Sequence, residues 1–214
     1  LSRGLGDVYK RQSVIEADGR RREFKVPFGS VPQMLREGVS RYSLTAGQVR
    51  NKLLADEPWL VQGTYQRGIG NQLTLYGGSA LSDGYLSLLY GVGLSTPVGA
   101  FAADVTHART SFDHYGNHTG ASVRLSYSNM IGETGTNLTL AAYRYSTEGF
   151  YSLQDALYGR DSDKRGIDPT TRGRQRSQFQ VTLNQPLGRR GGALYVTGSV
   201  RDFYDRSGTS KQYQ

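Results

Sequence analysis

From Ser40 onward the chain repeats one pattern, an apolar residue followed by a polar or small one. Between Tyr85 and Leu94, the set Leu86, Leu88, Tyr90, Val92 and Leu94 alternates with Tyr85, Ser87, Leu89, Gly91 and Gly93. Further on, Ala121, Val123, Leu125 and Tyr127 alternate with Ser122, Arg124, Ser126 and Ser128, and Phe179, Val181 and Leu183 with Gln178, Gln180, Thr182 and Asn184. Side chains on a strand point to opposite faces in turn, so each run has one apolar and one polar face. The pattern predicts nine strands, near 40–50, 59–68, 71–79, 85–95, 98–107, 119–129, 136–146, 175–186 and 193–204, with a new segment beginning just before Gln214. Several are about ten residues long, against about 5–6 for an ordinary strand. That length crosses a bilayer at a tilt of about 45°.

The predicted connections alternate long and short: 51–58, 69–70, 80–84, 96–97, 108–118, 130–135, 147–174 and 187–192. Up-and-down outer-membrane barrels sort their loops this way, with short turns on one side and longer loops on the other. A soluble antiparallel sheet also alternates apolar and polar residues; sorted loops favour the barrel. Tyr42, Tyr85, Tyr127, Tyr143, Tyr145 and Tyr204 fall toward strand ends, where amphipathic rings meet the headgroup level or simply follow strand propensity. Hydrophobic residues are 36% of the 214, a low share that suits a wall with lipid on one side and water on the other. No apolar run is long enough for a transmembrane helix.

Other chemistry is sparse. With no cysteine there is no thiolate metal site or Cys nucleophile. His114 and His118 have i,i+4 spacing, but in a stretch that reads as loop, so no metal and no cofactor is expected. No nucleophile elbow or zinc-protease motif occurs, and Asp104 and Asp202 show no carboxylate partner, so no enzyme activity is expected. The net charge of +8 permits an anionic partner. Its clusters, at Arg20–Arg22, at Arg172, Arg174 and Arg176, and at Arg189–Arg190, sit at turns and loop ends and read as solvated, without the interleaved aromatics of a nucleic-acid surface. Arg124 differs. It lies on the polar face of a strand, where a barrel would keep it hydrated in the lumen. Ser152 stands three residues before Asp155, as in a capping box, so 152–158 reads as either a short helix or irregular loop.

Before the strands, residues 1–12 continue into no pattern and read as either a non-native leader or a native linker, the former favoured. Residues 13–27 predict a hairpin turning at Asp18-Gly19, and 28–39, rich in Pro and Gly, an ordered connector.

The run EFKVPFGSVPQMLREG followed by RYSLTAGQVR, residues 23–50, resembles the fimbrial outer-membrane usher of the chaperone–usher pathway. TLYGGSALSDGY (74–85), ETGTNLTLAAYRYSTEGFYS (133–152) and FQVTLNQPLG (179–188) agree, in the family's order. The resemblance implies an all-β fold: part of an antiparallel up-and-down transmembrane β-barrel in the Gram-negative outer membrane. Residues 13–27 would be the last hairpin of a plug domain, 28–39 (with Pro27, Phe28 and Pro32) the plug-to-barrel linker, and 40–214 a wall segment of a larger barrel. It implies a gated pore that assembles and secretes fimbrial subunits delivered by a periplasmic chaperone. Partners would be chaperone–subunit complexes and outer-membrane lipid or lipopolysaccharide but no nucleic acid, with a homodimer left open for the whole protein. Ser122, Arg124, Ser126, Gln178 and Gln180 would face the lumen and meet the plug or a passing subunit, and Ser152, Asp155 and Tyr158 would lie on a gating helix. An odd strand count implies a fragment that does not close a pore alone. A passive porin-type channel is the nearest alternative, and a soluble β-rich glycan-binding or hydrolytic protein a further one.

Overall fold

The computed structural model describes residues 14–15, 21–22, 34–51, 54–131, 136–171, 174–187, 193–204 and 210–213. The chain divides into two units, Leu1–Ser30 and Val31–Gln214. In the first, β1 (Val14–Ile15) pairs antiparallel with β2 (Arg21–Arg22), Val14 with Arg22 and Ile15 with Arg21, and the predicted Asp18-Gly19 turn lies outside the described residues. The predicted leader, and Pro27, Phe28 and Pro32 of the predicted linker, lie outside the described residues.

The second unit is one antiparallel sheet in which every strand pairs with its neighbours in sequence. Its strands are β3 (Ser40–Gln48), β4 (Trp59–Gly68), β5 (Leu73–Ser82), β6 (Tyr85–Thr96), β7 (Gly99–Phe112), β8 (Gly116–Ile131), β9 (Thr136–Ser146), β10 (Gln175–Pro186), β11 (Ala193–Phe203) and β12 (Ser210–Tyr213). All nine predicted strands are present, and the short β12 is a tenth. An up-and-down order needs only local connections, which is what consecutive alternating runs can build.

The predicted sorting of loops by length is only partly right. The longer connections 49–58 and 147–174 share one end of the sheet, but residues 108–118 are not a loop. There β7 and β8 run on, pairing through Phe112 and Gly116 across a three-residue turn, and β5 and β6 meet across Asp83-Gly84. The reason is burial. Ala108, Thr110 and Phe112 continue the inner face of β7 and are covered, although the sequence around them is rich in His, Asp, Asn and Gly.

The two faces of this single layer differ. Leu86, Leu88, Tyr90, Phe101, Val123, Leu125, Tyr143 and Phe179 are exposed, Leu88 at 50% and Leu125 at 51%. The opposite face, with Thr74, Ser87, Asp104, Ser122, Arg124 and Ser146, is buried. Polar groups shut in and apolar groups exposed is the reverse of a soluble sheet. It follows when a sheet curls toward its polar face and leaves the apolar face to lipid.

The ladders also fix the tilt. Level for level, Leu86, Leu88, Tyr90, Val92 and Leu94 on β6 face Arg109, His107, Val105, Ala103 and Phe101 on β7. Traced on through β8, β9 and β10, the level of Val92 reaches Val200 on β11, whose outward apolar file continues to Val196 and Leu194, away from the helix end. The apolar band therefore drifts by about one residue per strand; with a rise of about 3.3 Å and a spacing of about 4.8 Å, that is a tilt of about 35°. A register shift between Leu125 and Tyr127 places one extra residue in β9, a bulge that adds local twist.

Candidate functional site

The 147–174 connection carries the one long helix among the described residues, α1 (Leu153–Lys164). Ser152 caps it: its Oγ accepts from Asp155 N at 3.2 Å and donates to the Asp155 carboxylate at 2.6 Å. The structure thus decides between the two readings of 152–158 and extends the helix to Lys164. At the other end Gly166, at φ 72°, and Ile167 donate to Asp163 O and Ser162 O, a Schellman stop that glycine makes cheap.

α1 is docked on the inner side of the wall. Ala156, Leu157, Gly159, Ser162 and Asp163 are buried. A Cβ on Gly159 would stand 2.8 Å from the Phe112 ring. Tyr151 packs edge-on to Phe112 at 5.2 Å and beside His118 at 5.4 Å, and Arg174 lies over its ring at 5.2 Å. Arg174, expected among solvated loop cations, is instead buried and donates to Glu148 O. Tyr85, for which the sequence leaves the headgroup level and plain strand propensity both open, is buried on the inner face, its hydroxyl 3.4 Å from Tyr151 O. The chain enters this packing through a backbone-to-backbone approach: a Cβ on Gly120 would meet Phe150 N at 2.2 Å.

The side chain of Asp163, 1% exposed, pins α1 to the β7–β8 turn. It accepts from Asp113 N at 2.5 Å and His114 N at 3.3 Å, with His114 Nδ1 at 3.0 Å. Burial pushes this carboxyl up, but the His114 ring and the two backbone N–H groups outweigh it and hold it below the ordinary value. Toward the 49–58 connection, Tyr158 Oη accepts from Asn51 Nδ2 at 2.8 Å, Asp161 Oδ1 accepts from Ala55 N at 2.8 Å, and Lys164 bonds Asp56.

Below the helix lies a charged cluster in the wall. Arg124 sits directly across from Asp104, and its Nε and Nη2 reach Asp104 Oδ2 at 2.8 Å and 2.7 Å. Tyr76 Oη donates to the same oxygen at 3.0 Å. Gly91 makes room: a Cβ there would come 2.4 Å from the Tyr76 ring and 2.6 Å from Asp104 Cβ. One sequence expectation is corrected here: Arg124 is 8% exposed and paired rather than hydrated. Asp104, 5% exposed and expected without a carboxylate partner, has a cation instead. Strand parity would have shown it, since Asp104 is in phase with Ala102 and opposite in phase to Phe101 and Val105. Asp202 accepts from Ser177 Oγ at 2.9 Å.

The predicted lumen residues share the polar face. Ser122 accepts from Ser146 Oγ at 3.0 Å, Ser126 is two residues from Arg124, and Gln178 lies level with Arg144 and Arg201. Gln178 Nε2 donates to Gln180 Oε1 at 3.2 Å. At the end away from α1, Met34–Arg36 runs across this face. Leu35 N donates to Thr74 Oγ1 at 3.0 Å, and a Cβ on Gly93 would meet Met34 Cε at 2.5 Å.

A tilted sheet with an apolar outside and a charged, strapped inside is built as the wall of a membrane barrel, and known proteins say of which kind. The outer membrane usher protein profile matches residues 6–214. The chain belongs to the outer membrane usher family. It is 45% identical over 202 residues to the usher MrkC of Klebsiella pneumoniae, covering 94% of this chain and 24% of that protein. It is 40% identical to HtrE of Escherichia coli K12, covering 90% and 23%. This usher chain thus spans about a quarter of the length of these curated relatives. The translocation pore of the P pilus usher PapC superposes with a TM-score of 0.69 at 29% identity, over 94% of this chain and 39% of that one. An Escherichia coli P pilus tip assembly intermediate, PapC-PapD-PapK-PapG, matches with a TM-score of 0.55 at 26% identity, over 93% of this chain and 29% of that one. Ushers lie in the outer membrane, so the soluble reading does not stand.

Proposed function

We propose that this usher chain is a wall segment of a gated pore through which chaperone-delivered fimbrial subunits are assembled and secreted. The observation that carries the reading is the inner face. It is polar and enclosed, crossed at one end by Met34–Arg36 and overlaid at the other by α1. Relatives named as outer membrane ushers and a PapC pilus assembly complex support it. On this reading residues 13–27 end a plug and 28–39 link it to the wall. The strap at Thr74 is then where the linker leaves the lumen, and Ser152, Asp155 and Tyr158 belong to the helix that steadies the plug. Ser122, Ser126, Gln178 and Gln180 line the path of the subunit, while Arg124 shapes the wall beneath it. Outer-membrane lipid, lipopolysaccharide included, covers the other face.

Deleting residues 13–39 from a full-length usher carrying this chain tests the reading in planar bilayers. A larger single-channel conductance than the parent's is expected, together with loss of surface fibres in cells. Unchanged conductance would favour a passive diffusion channel instead.

A further inference from the structure

The outward face of β7 breaks the apolar band. Phe101, Ala103 and Val105 are followed, in the same phase, by His107 and Arg109. Both are exposed on a face whose neighbours at those levels are Leu88 and Leu86 on β6 and the small Ala121 and Thr119 on β8. Among the described residues neither side chain makes a hydrogen bond or an ion pair. The His107 ring is placed by stacking on Tyr90, centroids 5.8 Å apart. With the drift of about one residue per strand, the rim that passes Leu86 on β6 falls at Trp59 on β4 and between His107 and Arg109 on β7. Trp59 is the kind of residue that marks a headgroup level, and its Nε1 is already taken by Asp83. A cation and an imidazole at that level, beside small residues and with no acidic neighbour engaging them, complement a phosphate.

We propose that His107 and Arg109 form a docking point for the phosphate of a lipid headgroup in the leaflet at the helix end of the wall. Arg109 supplies a planar charged donor fork, His107 a ring donor, and the apolar file below holds the acyl chains. The end that bears the longer connections is the outer one in barrels of this kind, so the lipid there is the phosphorylated glycolipid of the outer leaflet. The proposal rests on the membrane reading of the wall and names a partner for its outward face.

The test uses the full-length usher carrying this chain, in phosphatidylcholine nanodiscs doped with bisphosphorylated lipid A. Retained lipid A is counted by native mass spectrometry. H107Q with R109Q is expected to retain several-fold less than the parent, and R109K with His107 intact a number between the two, because the ammonium keeps the charge and loses the fork. Lipid A stripped of its phosphates is expected to be retained poorly by all three. Equal retention by the double variant, or equal retention of the dephosphorylated lipid, would overturn the proposal. Failure of the wall reading would show separately, as a parent protein that neither enters the nanodisc nor migrates as a compact band before heating.

Discussion

A single charge pair decides whether the inner face of this wall is packed or strained. Asp104 and Arg124 are both shut away from water, so each needs the other. Removing one member of a buried pair leaves an uncompensated charge at a cost of about 3–5 kcal/mol, whereas replacing both with apolar groups of similar volume is often neutral. Asp104→Ala is therefore expected to lower the temperature at which the barrel loses its compact gel mobility, and adding Arg124→Met to restore much of it. If the double variant were as weak as the single, the pair would not be the cause. Gly91 acts on the same cluster through space. Its missing Cβ lets the Tyr76 ring lie across β6 to reach Asp104, so Gly91→Val is expected to lower the same melting temperature.

At the scale of elements, α1 and the β7–β8 hairpin depend on each other. The hairpin is longer than its sequence suggests because Ala108, Thr110 and Phe112 are buried, Phe112 against Gly159 of the helix, and the helix keeps its place because Asp163 grips the turn. The sequence showed the cap, Ser152 with Asp155, since capping is local. It did not show the twelve-residue length or the burial of Arg174, because both are set by contacts far apart in the chain. Asp163 gives this dock a pH dependence. A carboxyl whose folded pKa is depressed contributes stability above its unfolded pKa of about 3.9 and loses it as pH falls through the folded value. The dock should hold at neutral pH and loosen only in acid below about pH 4. The chain has no cysteine, so spin labels at Gln154→Cys and Tyr115→Cys report the distance cleanly. The expected result is a narrow distribution at neutral pH that broadens in acid, and a broad one at both in Asp163→Ala. A distribution that stayed narrow in the variant would remove Asp163 from the dock.

For the whole molecule, strand parity was legible from the sequence and inclination was not. Alternation tells which of Leu86 and Ser87 faces out, because parity is a property of one strand. It says nothing about which residue on β8 stands level with Leu86, which requires the ladders. Those ladders put Leu86 and Thr119 at one level, yet a wall tilted by about 35° makes that level cross the membrane boundary obliquely. Leu86 then lies at the apolar edge and Thr119 beyond it among headgroups. Single cysteines at the two positions, both facing outward, give a direct comparison with a lipid-soluble thiol reagent quenched from water. Strong labelling at 86 and weak labelling at 119 is expected, with strong labelling again at 196 and none at 87. Equal labelling at 86 and 119 would mean that the boundary runs parallel to the ladders. The inclination, and with it the rim that passes Trp59, His107 and Arg109, would then be wrong.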